Sequence, residues 1–286
     1  MRSTRTPLGT VLAVLPLAVF GIYVLLPVYW LLVNATKSTP DLFSTFGFWF
    51  SDDPQFWQNV RDVFSQDDGI FARWMVNTVW YAAASAFLST LLALMAGYAF
   101  AKWRFVGRDA LFWVVLAAIM IPGAALAVPT YQLVSELGLI NTSWAVILPS
   151  IVSPFALYML RVYIDGAVPD ELIDAGRMDG AGEMRILRSV VLRIVTPGVA
   201  TVALVAFVGS WNNYLLPLLV LSDPELYPVT LGLTSWNRQS LFPSIGSEVL
   251  YNAVVTGSLL SILPLTIAFV FMQRYVRSGL TLGAVK

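Results

Sequence analysis

The chain has 286 residues, 58% hydrophobic and 12% charged, against about 25% charged in an ordinary soluble domain. That is too little polar surface to face water throughout, so the expected solvent is lipid. Net charge is zero, which argues against a nucleic-acid partner, and the lack of any cysteine or histidine excludes disulfides, thiolate or imidazole metal sites and most enzyme chemistry.

About 20 apolar residues cross a bilayer core as a helix. Six charge-free runs have that length: 8–33, 74–101, 110–131, 139–160, 197–221 and 249–272. Irregular backbone cannot face lipid, so each run is expected to be helical and the fold all-α, an integral membrane protein with six transmembrane helices. The first run follows Arg2 and Arg5, as a signal peptide would, but it is about twice as long as a typical signal core. It reads as a retained signal-anchor helix, with a cleaved signal as the alternative.

Lys and Arg set the orientation. With the N-terminus inside, segments 1–7, 102–109, 161–196 and 273–286 hold 13 of the 17 basic residues; Lys37, Arg61, Arg73 and Arg238 are left outside. Both termini and the 171–197 stretch are therefore expected in the cytoplasm. The outer segment 34–73 is acidic and aromatic, with Asp52, Asp53, Asp67 and Asp68 beside Phe46, Trp49, Phe50 and Trp57. Packing at the lipid interface and contact with an external partner both fit it.

The spans carry no ionisable residue in their interiors and no convincing internal duplication. Ion-coupled carriers usually keep Asp, Glu or His there, although backbone carbonyls can also hold sodium. No phosphate-cradling loop occurs: the lysines are Lys37, Lys102 and Lys286, and none follows a glycine. Energy for uphill transport would come from another polypeptide.

The stretch ELIDAGRMDGAGEMRILRSVVLRIVTP, 171–197, is a polar island between apolar runs. Pro169 suits a first helical turn, and Asp170 and Glu171 complement the helix dipole. The helix is expected to reach about Met178 and turn at Asp179-Gly180. A second helix would present Met184, Leu187, Val191 and Ile194 on one stripe, with Pro197 starting the next span. Ala175, Gly176, Gly180, Ala181 and Gly182 cluster at the bend, where small side chains let another backbone approach. A solvated amphipathic hairpin on the membrane surface is the plainer alternative.

The stretch Asp174-Ala175-Gly176-Arg177-Met178-Asp179-Gly180-Ala181 resembles the cytoplasmic EAA loop of ABC importer permeases, approximately E-E-A-A-x-x-D-G-A in the sugar branch. Gly176 stands for the second alanine, Asp174 for the usual glutamate and Arg193 for a first proline. Asn77-Thr78 at the second span, AGYAFAKWRFVGRD at 96–109, Met120-Ile121-Pro122, GSWNNYLLPLLVL at 209–221 and the ending GLTLGAVK at 279–286 are similar to the same family in the same order. The ending resembles the second, MalG-like permease of a heterodimeric pair.

The resemblance implies a prokaryotic plasma-membrane, non-catalytic permease subunit of a sugar importer. Its partners would be a second homologous permease, two copies of an ATPase that binds ATP and Mg, and an extracytoplasmic sugar-binding protein. This chain would hold no cofactor or metal itself. Segments 1–73, 74–275 and 276–286 would form the first helix with its external loop, the permease core with its EAA loop at 163–196, and a tail that reaches the ATPases or stays loose. Glu171, Asp174, Ala175, Gly176, Asp179, Gly180 and Ala181 would couple to the ATPase, with Gly180 supplying a backbone geometry or a clearance that a Cβ would spoil. Asn77, Trp211, Asn212, Asn213 and Tyr214 would line a pathway or gate, or pack helices together. The family's best-understood pair holds sugar mainly in the other permease. Competing readings are an ABC permease for glycerol phosphate or a polyol, and an ion-coupled carrier or channel.

Overall fold

The computed structural model describes residues 7–242 and 250–281. Its described residues form helices and connecting loops with no strand. In chain order the α-helices are α1 (Pro7–Asn34), α2 (Thr39–Ser44), α3 (Phe56–Ser65), α4 (Ile70–Lys102), α5 (Arg108–Ile119), α6 (Ala127–Glu136) and α7 (Ser143–Ile151). There follow α8 (Pro154–Ala167), α9 (Asp170–Met178), α10 (Glu183–Ile186), α11 (Leu192–Trp211), α12 (Leu215–Val220), α13 (Val229–Leu241) and α14 (Tyr251–Thr281). Among the described residues, five helical stretches are long and apolar enough to cross a membrane, and a sixth is reached if the bent pair Arg108–Ile119 and Gly123–Glu136 counts as one span.

Three expected spans are broken. The third bends by 99° at residues 120–122, where Pro122 adopts an extended backbone. The fourth breaks at Val152 and Ser153, because Pro154 takes the first helical position and the Ser153 hydroxyl accepts the Ala156 N–H as an N-cap. The fifth breaks after Trp211. Pro197 does not start a span: it lies inside α11, and the helical path runs on from Glu183 through one π-helical turn at Leu187–Val191. Neighbouring helices can accommodate a proline inside a membrane helix, which is why it gives no stop signal here.

Two compact units divide the chain. One comprises Met1–Phe71 and Leu233–Leu263. Its α1 carries an apolar stretch, Val14–Asn34, with none of its most apolar window buried, so that surface faces lipid or another chain. The expected outer loop is folded here. Lys37 is fully buried and donates Nζ to the Phe46 carbonyl at 2.9 Å. Asn59 donates to the Ala35 and Lys37 carbonyls at 2.8 and 2.9 Å, and Asn252 donates to the same Lys37 carbonyl at 2.9 Å. Trp236, on the unexpected helix α13, donates to Asp67, which sits at φ 48°.

The second unit comprises Ala72–Gly232 and Pro264–Lys286. One of its apolar clusters joins Tyr98, Leu160, Ile164, Ile173, Ile186, Val191 and Val195; another joins Tyr81, Val134, Ala145, Ile147 and Val220. Glycines set the closest approaches. A Cβ on Gly97 would come within 3.0 Å of the Arg161 backbone nitrogen, and one on Gly198 within 2.7 Å of the Tyr163 ring. Of the expected tail, 276–281 continues α14, whereas 282–286 lies outside the described residues.

Candidate functional site

The hairpin at 163–196 is built as two helices around a turn. Pro169 caps α9 rather than entering it, and Asp170 and Glu171 occupy the first turn. Ile173 is 1% exposed and fixes α9 to the cluster around Tyr98, Leu160 and Ile164. The chain turns at Asp179-Gly180, and Gly180 has φ +74° with nothing within 4 Å of where a Cβ would lie. Its requirement is therefore backbone conformation, not clearance. Gly176 differs: a Cβ there would meet Ile186 Cγ1 at 3.1 Å, so Gly176 lets the hairpin's two arms close on each other.

The returning arm follows the expected stripe only in part. Leu187 and Val191 are buried, but Met184 is 61% exposed and Val195, not Ile194, is fully buried. The π-helical turn inserts an extra residue into the helical period and shifts the buried face.

Side chains not singled out in the sequence tie this hairpin down. Glu183 accepts three hydrogen bonds: from Tyr98 Oη at 2.6 Å, Trp103 Nε1 at 2.9 Å and Arg177 Nε at 2.8 Å. Lys102, at the end of α4, donates to the Val168 carbonyl at 2.7 Å and to Asp170 at 2.5 Å. That bond and charge hold the Asp170 carboxyl below its ordinary range. Arg177 also reaches Asp174 at 3.2 Å. The links made by Tyr98, Lys102 and Trp103 cross 66 to 85 positions of sequence, beyond any local pattern, whereas those of Arg177 are local. The available signal was compositional, a cluster of Lys102, Trp103 and Arg104 ending an apolar run opposite an acidic loop.

The hairpin's far side is open. Glu171, Asp174, Ala175, Asp179 and Gly180 are exposed, and Gly176 and Ala181 are half-buried. Three apolar side chains stand out among them: Met178 at 88% exposure, Met184, and Leu172 at 43%.

The residues expected along a pathway separate. Asn77 donates to the Glu225 and Tyr227 carbonyls at 2.7 and 3.1 Å, and its neighbour Thr78 accepts the Val229 N–H at 2.7 Å. Asn77 is a staple for the loop before α13. Trp211 is 3% exposed and packs against Phe207; Asn212 bonds back to the Val208 carbonyl at 2.9 Å. Asn213 and Tyr214 occupy the break between α11 and α12. Asn213 lines two cavities of about 330 and 430 Å³, and Ser150 lines both as well. Neither lining includes Asn77, Trp211, Asn212 or Tyr214.

Comparison with known proteins gives a consistent picture. Residues 89–281 match the family described as "Binding-protein-dependent transport system inner membrane component". The arabinooligosaccharides transport system permease protein AraQ of Halalkalibacterium halodurans is 39% identical over 76% of this chain and 75% of that protein. The lactose transport system permease protein LacG of Rhizobium radiobacter is 32% identical over 96% of this chain and 94% of its own length. The fold matches a chain from the crystal structure of a bacterial ABC transporter involved in the import of the acidic polysaccharide alginate, with a TM-score of 0.79, 23% identity, and 96% of this chain and 98% of that chain covered. With a family match across more than half its length and relatives above 30% identity, this chain belongs to the inner-membrane components of binding-protein-dependent transport systems.

Proposed function

We propose that the chain is one permease of an ATP-driven importer of neutral oligosaccharides, paired with a second homologous permease. Two copies of a cytoplasmic ATPase would bind ATP and Mg, and an extracytoplasmic binding protein would deliver the sugar. The observation that carries this reading is similarity over 92% and 96% of the chain to permeases named for arabinooligosaccharides and lactose.

The hairpin supplies the coupling element. Its exposed tip, with Leu172, Met178 and Met184 beside Asp179 and Gly180, suits a cleft on the ATPase. Its base is held to α4 and α8 by Glu183, Lys102 and Ile173. A rigid hairpin passes a partner's motion to the helices behind it, which is what a two-state switch between inward-facing and outward-facing pathways requires. The concentration of 13 of the 17 Lys and Arg residues in the segments on the hairpin's side of the spans supports a cytoplasmic position for it.

The test is reconstitution of the four-component complex in vesicles. ATP-dependent uptake of arabinooligosaccharides or lactose is the expected result. Uptake of glycerol 3-phosphate with no uptake of any neutral saccharide contradicts the reading.

A further inference from the structure

We propose that this chain carries its own subsite for a neutral, hydroxyl-rich ligand, a sugar ring, in the cavity between α4, the α7–α8 break and α11. The proposal rests on the oligosaccharide reading above and assigns part of the sugar contact to this permease rather than to its partner alone.

The first observation is a set of spare hydroxyls. A serine or threonine in a membrane helix ordinarily bonds back to the preceding turn, as Ser150 does to Val146 at 2.8 Å and Thr201 to Pro197 at 2.9 Å. Ser85 and Ser89 do not. Both are 2% exposed, both line the cavity, and neither hydroxyl has a hydrogen-bond partner among the described residues. They lie four residues apart on one face of α4. The hydroxyl of Ser210, on α11, is likewise buried, unpartnered and part of the lining. A buried hydroxyl without a partner is costly, and three of them border this one cavity, where a hydroxyl-rich ligand can complete them.

The second observation is the broken backbone. Non-helical chain at membrane depth is tolerated where it is buried in protein or lines a wet cavity. Val152 and Ser153, at the break between α7 and α8, line this cavity, and Asn213, at the break between α11 and α12, lines it too. Through Ser150 and Asn213 it adjoins the second cavity, which is lined in turn by Gly123 just after the bend at 120–122. Three interruptions of the helical pattern thus meet at two neighbouring spaces.

The third observation concerns charge and shape. Among the described residues, no charged side chain lines either cavity. An anionic solute such as glycerol phosphate would find no cation there, whereas a neutral sugar needs none. Phe155, Met159 and Val205 add apolar surface for the C–H face of a ring. A volume of about 330 Å³ falls at the small end of ligand pockets.

The test uses the assembled transporter in vesicles, with the binding protein loaded with arabinotriose or lactose, whichever the wild type carries. Two variants are compared, the double S85A/S89A and the cavity-filling S89V. Removing an unpartnered hydroxyl orphans no donor or acceptor, so the double alanine variant is expected to assemble as the wild type does. Sugar carried per ATP is expected to fall about tenfold in each variant, the loss of one or two hydrogen bonds, with binding-protein-stimulated ATP hydrolysis near wild type. Unchanged uptake in both variants overturns the subsite, including the case in which the cavity holds water alone. An equal fall of uptake and ATP hydrolysis also overturns it, because that marks packing. If the double variant fails to assemble, Ser210→Ala on the opposite wall gives the same readout. A wild type that carries glycerol 3-phosphate and no neutral saccharide sinks the oligosaccharide reading itself; a wild type that carries sugar alongside indifferent variants sinks only the subsite.

Discussion

The hairpin and the cavity wall treat polar groups in opposite ways. At the base of the hairpin they converge: both oxygens of Glu183 are occupied by three donors, and Lys102 closes on both a carbonyl and a carboxylate. At the cavity wall, hydroxyls of Ser85, Ser89 and Ser210 are buried and left over. Around Glu183 and Lys102 the polar groups are paired, although the buried Tyr163 hydroxyl of the same segment has no partner, and a paired cluster of this kind suits a part that transmits displacement. A region that keeps some in reserve is ready for a guest. The same unit holds both, with α4 contributing to each: Ser85 and Ser89 to the cavity, Tyr98 and Lys102 to the hairpin's base.

The contrast breaks most sharply at the hairpin's turn. Gly180→Leu forces a branched side chain into a left-handed backbone, about 1–2 kcal/mol of strain that the turn can relieve only by moving. ATP-dependent uptake is expected to fall about a hundredfold or more, since small displacements of positioning groups have effects of that size, while the subunit still inserts. Wild-type uptake in this variant contradicts the coupling role.

Glu183→Ala strips the acceptor from three donors at once. Hydrogen bonds to a charged group are worth about 1.5–3 kcal/mol each, reduced here because the carboxylate is partly solvated. Uptake per ATP is expected to drop about tenfold, and Glu183→Gln, which keeps one acceptor oxygen, is expected to lose less. Equal effects of the two substitutions would show that geometry at Glu183 is immaterial.

Asp170→Asn is the mildest case. Its ion pair with Lys102 is exposed on the carboxylate side, so uptake is expected to change by no more than about threefold. The direction of its titration gives a second check. Because Lys102 holds the Asp170 carboxyl below its ordinary value of 3.8, whatever the pair contributes is fully present above that value. It is lost only as pH falls through the still lower folded value. Uptake measured from pH 8 down to 6 should therefore show no step that Asp170→Asn removes.

Much of this architecture is written in the chain, and the omissions have physical causes. The six apolar runs, the Asp179-Gly180 turn and the start of the hairpin at Pro169 are local signals, and the helices stand at those places. The breaks at 120–122, 152–153 and 212–214 were not legible as breaks, because a lipid-facing run is apolar on every side and carries no period to interrupt. Pro149, Pro197 and Pro264 all lie inside helices, so proline alone did not mark them either. Leu187, Val191 and Ile194 pack on the buried side as the stripe expects; Met184 does not, and beyond the π-helical turn at Leu187–Val191, which a 3.6-residue template does not anticipate, Val195 is buried more fully than Ile194. Glu183 was missed because its donors Tyr98 and Trp103 arrive from 80 or more positions away. Asn77 entered through the resemblance alone; its amide partners, the carbonyls of Glu225 and Tyr227, lie about 150 positions away and leave no local signal.

The central claim is that the exposed tip of the hairpin lies in the cytoplasm and docks into the ATPase. The chain has no cysteine, so Met178→Cys places a single thiol at that tip. Labelling with a membrane-impermeant maleimide can be compared in right-side-out and inside-out vesicles, with and without the ATPase. Labelling is expected only in inside-out vesicles, with protection once the ATPase is bound. Labelling from the outer face, or equal labelling with the ATPase present, would contradict it.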